Sequence, residues 1–241
     1  LAPAIQFVTE TGSTNADLLT RLAAGEGLTE GTWLVADRQS AGRGRQGRRW
    51  LDAPGNFTGS TLVRLAKGDP PAASLSFVAA LALYEAALAR LPEPGRLRLK
   101  WPNDLELDRG KLAGILLERE GVHAVIGFGV NLAAAPAVPD RAVRSLAQHG
   151  PAPDRDAFAA ALAHSFAKEL TRWRTYGAEP ILARWLAAAH PPGTPLAVHD
   201  AGGAPIHGTF AGLEPDGALR LSLADGTSRV IHAGDVEAGV A

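Results

Sequence analysis

The sequence predicts an α+β fold, a mixed and largely antiparallel sheet covered by helices, followed by a small C-terminal β module. Three observations lead there. Four short strand-like runs crowd into residues 97–130 with only tight turns between them, so they must pair as hairpins. Two segments, 154–176 and the one opened by Pro180, carry apolar residues at helical spacing. After Pro191-Pro192-Gly193 the texture changes to short β segments separated by glycine turns, which suits a small barrel. The implied organisation is one larger unit over residues 1–191 and a second over 192–241.

The chain opens on a short strand over 5–8 and passes into a helix. Its start is signalled by Thr14 with Asp17 three residues on, the pattern of a capping box. Leu18, Leu19 and Leu22 then face a core, and Gly25 ends the helix. A second strand over 33–37 runs into a stretch too polar and too glycine-rich for a regular element, hence a loop. Residues 56–65 form the next strand. Residues 72–91 are apolar on almost every side, which predicts a helix buried within a layered domain, and Pro92, Pro94 and Gly95 stop it. The four runs 97–101, 105–107, 115–118 and 124–130 follow, with turns at Asp108-Arg109-Gly110 and Glu120-Gly121. Phe158, Leu162, Phe166, Leu170 and Trp173 mark the apolar face of the helix over 154–176. Turns at Gly202-Gly203, Pro215-Asp216-Gly217 and Asp225-Gly226 punctuate the last strands.

Composition narrows the chemistry. A hydrophobic share of 46% permits a sizeable core. No apolar run is long enough to span a membrane and the first residues lack a secretory pattern, so a soluble, cytoplasmic protein is expected. Cysteine is absent, which removes disulfides, thiolate nucleophiles and cysteine-based zinc sites together. The 24 Lys and Arg balance 25 Asp and Glu, so no global basic excess points to nucleic acid. The charge is uneven, however. Five arginines (Arg38, Arg43, Arg45, Arg48, Arg49) fall between residues 38 and 49 with no acid in the loop among them from residue 39 on.

That loop, Gln39 to Trp50, is the most informative stretch. Gly42, Gly44 and Gly47 let backbone approach a ligand closely, and the arginines between them offer forked donors matched to carboxylate and phosphate oxygens. It lacks the Gly-Lys-Ser/Thr ending of a P-loop and the spacing of a dinucleotide fingerprint. Alone, it reads equally well as a solvated basic loop. In Lys100-Trp-Pro-Asn-Asp104, Pro102 interrupts a strand and is expected to aim Asn103 and Asp104 away from the ladder. Lys111 lies near Gly114 in an otherwise apolar strand, poised for an anion, although an edge lysine would look the same. Gly127-Phe-Gly-Val-Asn131 ends a strand in an amide able to pair with an adenine edge, or simply to turn the chain. Gly12-Ser-Thr-Asn15 supplies short polar groups at a helix start, where capping is the ordinary account.

Together these stretches resemble the biotin protein ligase family, and the resemblance covers essentially the whole chain. It is carried by Ser13-Thr14-Asn15, Gly42-Arg-Gly-Arg-Gln-Gly-Arg48, Lys100-Trp-Pro-Asn-Asp104, Lys111-Leu-Ala-Gly114 and Gly127-Phe-Gly-Val-Asn131, in the right order. One departure is Gln46, where many members have an arginine. The resemblance implies the family's catalytic fold, similar to that of class II aminoacyl-tRNA synthetases, with an SH3-like barrel behind it. It implies two reactions: biotin and ATP form biotinyl-5′-AMP, and a lysine of a carrier protein then takes the biotinyl group. By motif match, Lys111, Arg43 and Arg45 carry the chemistry. Ser13, Thr14, Asn15, Gln39, Gly42, Arg43, Lys111 and Gly114 hold biotin, while Arg43, Arg45, Arg48, Trp50, Asn56, Lys100, Asp104 and Asn131 hold ATP. Mg²⁺ is expected to arrive with ATP, with Asp104 as a weak protein ligand.

The implied partner is the biotin carboxyl carrier protein of acetyl-CoA carboxylase and related biotin-dependent carboxylases. Some members add an N-terminal DNA-binding domain. Only twelve residues precede Ser13 here, so no DNA partner is expected, nor a membrane, and the chain is expected to act as a monomer or homodimer. Two rival readings are a lipoate or octanoate ligase or transferase of related fold and a nucleic-acid-binding module. The second is disfavoured by near-neutral charge and a 6% aromatic share.

Overall fold

The run Trp33-Leu34-Val35-Ala36 is buried on both faces, as an interior strand must be. In the computed structural model, which describes residues 4–139, 141–199 and 204–239, this strand is β2 (Trp33–Gln39). β1 (Ile5–Thr11) pairs with it in parallel, and β3 (Phe57–Arg64) pairs with it antiparallel on the other side. A parallel pair needs a crossover, and helix α1 (Thr14–Ala23) supplies it. β4 (Leu97–Lys100), β5 (Asp104–Leu107), β6 (Gly110–Glu120) and β7 (His123–Val130) follow as successive hairpins. β7 then closes onto β3, giving one seven-stranded sheet in the order β1-β2-β3-β7-β6-β5-β4. Asp108 and Arg109 both take positive φ, 46° and 61°, as a two-residue hairpin turn requires.

The two faces of the sheet are packed differently. Leu34, Leu62 and Val125 point to one side and bury Leu18 of α1. Trp33, Val35, Val63, Ile126 and Phe128 point to the other, against α2 (Leu75–Leu88) and α3 (Arg155–Tyr176), where Trp33 stacks on Phe128 and meets Phe166 edge-on. α2 lies between the sheet and α3 and α4 (Glu179–Ala188), which explains its apolar surface on nearly every side.

A five-stranded antiparallel sheet follows, built from β8 (Pro195–His199), β9 (Ile206–Leu213), β10 (Leu219–Ser222), β11 (Ser228–Ile231) and β12 (Asp235–Ala238) in the order β11-β10-β9-β8-β12. Its apolar face continues the main core through Leu196, Val198, Phe210 and Leu219. Two contacts fix its seat. Phe77 packs edge-on against Trp185 with centroids 5.5 Å apart, and its ring covers Gly217, where an added Cβ would come within 2.5 Å. Trp101 donates from Nε1 to the Gly217 carbonyl at 3.0 Å.

Several expectations are corrected. Thr14 does not cap α1: the cap position is Ser13, no side chain bonds the helix start, and Asp17 accepts instead from the Thr11 hydroxyl. The Thr14 hydroxyl is needed elsewhere, as shown below. Asp104 is not turned out of the ladder, because it pairs with Lys100 on one side and Gly114 on the other. Pro102 sits in the hairpin turn itself, so the strand resumes directly after Asn103. The predicted helix over 72–91 begins with a separate 3-10 turn, Ala72–Ser74, before α2 proper. The turn at Gly202-Gly203 lies outside the described residues.

Trp101→Phe removes a buried hydrogen bond between the segments that carry the two sheets while keeping most of the apolar bulk. It is expected to lower stability by about 1–2 kcal/mol, because the Gly217 carbonyl is left without its donor. A denaturant midpoint equal to wild type would show that this bond contributes nothing.

Candidate active site

A cavity of about 320 Å³ opens where the start of α1, the 39–50 loop, β6, β7 and the segments 136–139 and 141–143 converge. Its floor is cut by three glycines. An added Cβ at Gly127 would lie 2.4 Å from Asn15 Oδ1, one at Gly129 would lie 2.3 Å from the Trp50 indole, and one at Gly114 would lie 3.2 Å from Lys111 Nζ. These strand positions are therefore small so that three side chains from other elements can lie flat on the sheet.

One end of the cavity is lined by uncharged polar side chains, joined in a hydrogen-bonded network that ends on the Glu118 carboxylate outside the lining. Gln39 Oε1 accepts from the Thr14 backbone N–H at 2.8 Å and lies 3.1 Å from the Thr14 hydroxyl, which also contacts Ser60 Oγ at 2.6 Å. Ser60 in turn donates to Asn15 Oδ1 at 2.6 Å, and Asn15 Nδ2 donates to Glu118 at 2.7 Å. Beside this network Trp50, Leu51, Leu116 and Val138 supply apolar wall. The combination suits a ligand that is apolar in bulk with a few polar atoms at one end.

The other end is cationic. Among the described residues, Arg43, Arg45, Arg48, Arg49, Lys111 and Arg141 line the cavity against two carboxylates, Asp104 and Asp235. The arginine loop closes through a backbone bridge between Arg43 and Arg49. Between them Arg45–Gly47 forms one 3-10 turn in which Gln46 adopts a left-handed φ of 56°. The Gln46 side chain accepts from Arg48 at 2.9 Å, so this departure from the family pattern trades a further cation for an acceptor. Arg48 ion-pairs with Asp235, and Arg45 donates to Asn103 Oδ1 at 3.4 Å and to the Gly234 carbonyl at 3.3 Å. The C-terminal sheet thus reaches the loop.

Lys111 Nζ contacts Asp104 Oδ1 at 2.6 Å and lies 5.9 Å from the centre of the Trp50 ring. Burial pushes its pKa below the ordinary lysine value, Asp104 opposes that, and the charges of Arg141 and Lys100 add to the downward push. Burial likewise lowers Arg45 and Arg48, again against Asp104. Crowded cations in a partly dry cavity favour any bound anion, which would relieve their repulsion.

Most sequence-predicted residues meet here. Ser13, Thr14, Asn15 and Gln39 line the neutral end; Arg43, Arg45, Arg48 and Lys111 line the cationic end; Trp50, Asp104, Gly114 and Asn131 lie between. Three do not reach the cavity. Gly42 packs under the loop beside Gln39 and Trp50. Asn56 is buried and holds the chain after β7, accepting from the Ala133 and Ala134 amides at 3.0 Å each and donating to Asn131. Lys100 sits behind Asp104, bonded to Glu106. Asn131 is itself almost fully buried, its amide shared between Asn56 and the Lys111 carbonyl. Sequence reasoning missed Ser60, Glu118, Arg141 and Asp235. Glu118 ends the strand run 115–118 that follows Lys111-Leu-Ala-Gly114 and was within reach, whereas Asp235 is remote in sequence and carries no local signal.

The model of the biotin/lipoate A/B protein ligase family matches residues 8–131, and that of the biotin protein ligase C-terminal domain matches residues 197–239. The chain belongs to this family. It is 44% identical over 228 residues to the biotin–[acetyl-CoA-carboxylase] ligase of Paracoccus denitrificans, covering 89% of this chain and 92% of that one. It is 38% identical over 240 residues to the ligase of the same name from Mycobacterium tuberculosis, covering 96% and 88%. Among solved structures, the biotin protein ligase of Aquifex aeolicus in complex with biotin and ATP superimposes with a TM-score of 0.82 at 26% identity, covering 97% of each chain. In this member of the biotin/lipoate ligase family, the cavity is assembled from all five motifs that carry the sequence resemblance.

Gly129→Ala should drive Trp50 off the sheet and loosen the loop, because the new methyl group would overlap the indole. Limited trypsin digestion is expected to cut between Arg43 and Arg49 several-fold faster than in wild type. An unchanged cleavage rate would show that Trp50 does not pin the loop.

Proposed function

We propose that this chain is an ATP-dependent biotin protein ligase, which forms biotinyl-5′-AMP and then transfers the biotinyl group to one lysine of a biotin carboxyl carrier protein domain. The single observation that carries the reading is one cavity with a neutral, apolar-walled end and a six-cation end that meet at Lys111. In the first step a carboxylate oxygen of biotin bonds to the α-phosphorus of ATP and pyrophosphate leaves. Two unit negative charges about 4 Å apart repel by roughly 4 kcal/mol at an effective dielectric near 20, so the site must supply positive charge where they meet. Arg43, Arg45 and Arg48 hold the carboxylate and phosphates, and Lys111 stabilises the charge that develops between them. Thr14 and Gln39, with Ser13 and Asn15 beside them, orient the polar atoms of the biotin bicycle, and Trp50 provides a flat apolar wall toward the nucleotide.

Mg²⁺ would enter with ATP. Among the described residues no three His, Asp or Glu side chains converge as a metal cage. That donor set fits an ion riding chiefly on phosphates and water, with Asp104 as the one motif carboxylate near it. When bound, the ion neutralises phosphate charge. In the second step the carrier lysine, as a free amine, bonds to the biotinyl carbonyl; AMP leaves and the new amide loses a proton. A mixed anhydride hydrolyses readily, so the arginine loop, held at Arg45 and Arg48, also has to keep water out.

The division into two units, residues 1–191 for catalysis and 192–241 as an accessory module, is part of this reading and is supported by the two separate sheets. The balanced net charge supports an enzyme without a DNA partner. No helix among the described residues is long and apolar enough to cross a membrane. Cytoplasmic ATP and carboxylase carriers make that compartment the natural one, and a monomer or homodimer suffices for a cavity lined by a single chain.

The test is mass measurement of a carrier domain after incubation with the protein, Mg·ATP and biotin, with lipoate or octanoate in parallel. Biotin should add one biotinyl group to one lysine and the others none; modification by lipoate alone would overturn the assignment. Lys111→Ala is expected to reduce adenylate formation at least a hundredfold, since it removes a charge that acts on the reacting oxygens. Arg45→Gly should leave the first step measurable but release activated biotin, so that lysines of a bystander protein become labelled in proportion to time.

A further inference from the structure

The cross-strand register places Lys111 directly opposite Glu106 and Lys100 directly opposite Asp104. The ion pairs run otherwise. Lys111 Nζ lies 2.6 Å from Asp104, and Lys100 Nζ lies 2.8 Å from Glu106 but 3.7 Å from Asp104. Each lysine has thus taken the diagonal carboxylate in preference to the one across from it. A shift in register between Leu105 and Glu106 makes the diagonal reachable. The outcome matters because Asp104 lines the cavity and Glu106 does not. A lysine on Asp104 projects its ammonium into the site, whereas one on Glu106 is withdrawn behind it.

The free oxygen of Glu106 is occupied by His190, whose Nε2 lies 2.9 Å from Oε2. His190 is set there by the fold: a backbone bridge between Leu99 and Ala189 ties the end of α4 to β4. Both oxygens of Glu106 are therefore held, by Lys100 and by His190, and both oxygens of Asp104 face lysines. The four charges Glu106, Lys100, Asp104 and Lys111 alternate in sign and, with His190 at the end of the chain, are mostly buried, with side-chain exposures between 8% and 18%. Burial alone would raise the Glu106 carboxyl, yet the hydrogen bond from His190 and the Lys100 ammonium hold it down at about 2. It is ionised throughout the neutral range.

We infer that Glu106, anchored by His190, is a positioning residue: it holds Lys100 back from Asp104, so that Asp104 is free to present Lys111 to the reacting anions. This rests on the ligase reading for its consequence, though the arrangement of ammonium groups can be measured without any substrate. Without Glu106, Lys100 has only Asp104 to pair with and competes with Lys111 for it. Without His190, Glu106 has a free oxygen to offer Lys111 across the ladder.

The ammonium resonances of ¹⁵N-lysine-labelled protein and biotin-dependent ATP–pyrophosphate exchange test this together. In Glu106→Gln the Lys111 ammonium signal should shift or broaden, and exchange kcat should fall about tenfold with the KM for biotin within about twofold, since an interaction felt mainly in the transition state is lost. His190→Leu, which leaves all four charges in place, should move both readouts in the same direction and serves if Glu106→Gln fails to fold. Adding Lys100→Met to Glu106→Gln should restore the Lys111 signal, because the competitor is gone; a purely structural loss would not be rescued. A folded Glu106→Gln or His190→Leu protein with wild-type Lys111 signal overturns the proposal, as does failure of Lys100→Met to restore it. Were the wild-type protein to show no biotin-dependent exchange, the ligase reading would fall while the ammonium spectra still decided the role of Glu106.

Discussion

Everything in the cavity answers to the mutual repulsion of its cations. Four arginines of one loop, with Lys111 and Arg141, converge on a space that also has to stay partly dry. Left alone such a set would swing apart into water. Three of them are restrained: Arg48 by Asp235, Arg45 by Asn103 and the Gly234 carbonyl, Lys111 by Asp104. The restraints are few and most leave donor capacity unspent, since a guanidinium has five N–H groups and an ammonium three. That surplus is what an anionic ligand can use. Pairing every cation fully would have given a more ordered apo site with less reason to bind anything.

The sheet makes this tolerable. Its strands are apolar on the face that meets α2 and α3, and on the opposite face they give way to glycine where Asn15, Trp50 and Lys111 must lie. A single large residue at 114, 127 or 129 would fill the place of a functional side chain. The cavity is therefore written into the strands as missing side chains, while the loops supply the groups that fill the rim. Rigid β6 and β7 set distances, and the glycine-bearing 39–50 loop provides whatever movement ligand entry needs.

This division also governs what was legible in the sequence. Hairpin turns such as Asp108-Arg109 and the amphipathic face of α3 could be read because they depend on neighbours a few residues away. The glycine-arginine loop could be picked out because residue type and spacing carry the signal, and its arginines do line the cavity. Thr14 shows where that logic fails. Its position at a helix start fits capping, yet its hydroxyl is drawn to Gln39 and Ser60, partners twenty-five and forty-six residues away that no local pattern announces. Asp104 fails for the opposite reason: proline was taken to end the strand, but it occupies the turn and the ladder resumes at once. Asp235 and His190 were invisible, since their significance arises only when the C-terminal sheet and the end of α4 are folded against the catalytic sheet.

Those two late residues bear on how the parts cooperate. The C-terminal sheet is seated by apolar burial around Phe77 and by Trp101, a residue of the same motif that supplies Lys100 and Asp104. From that seat Asp235 and Gly234 touch the arginine loop on one side of the cavity, and the approach to the module places His190 on Glu106 at the other. Bound phosphates would compete with Asp235 for Arg48 but not with Glu106 for Lys100, because Glu106 and Lys100 lie outside the cavity. Ligand binding can therefore loosen the loop's tether to the module while the Lys111 side stays fixed. In the reaction proposed, which must admit two substrates and a carrier while Lys111 is held steady, that asymmetry has a use: one labile contact beside the loop, one buried chain behind Lys111.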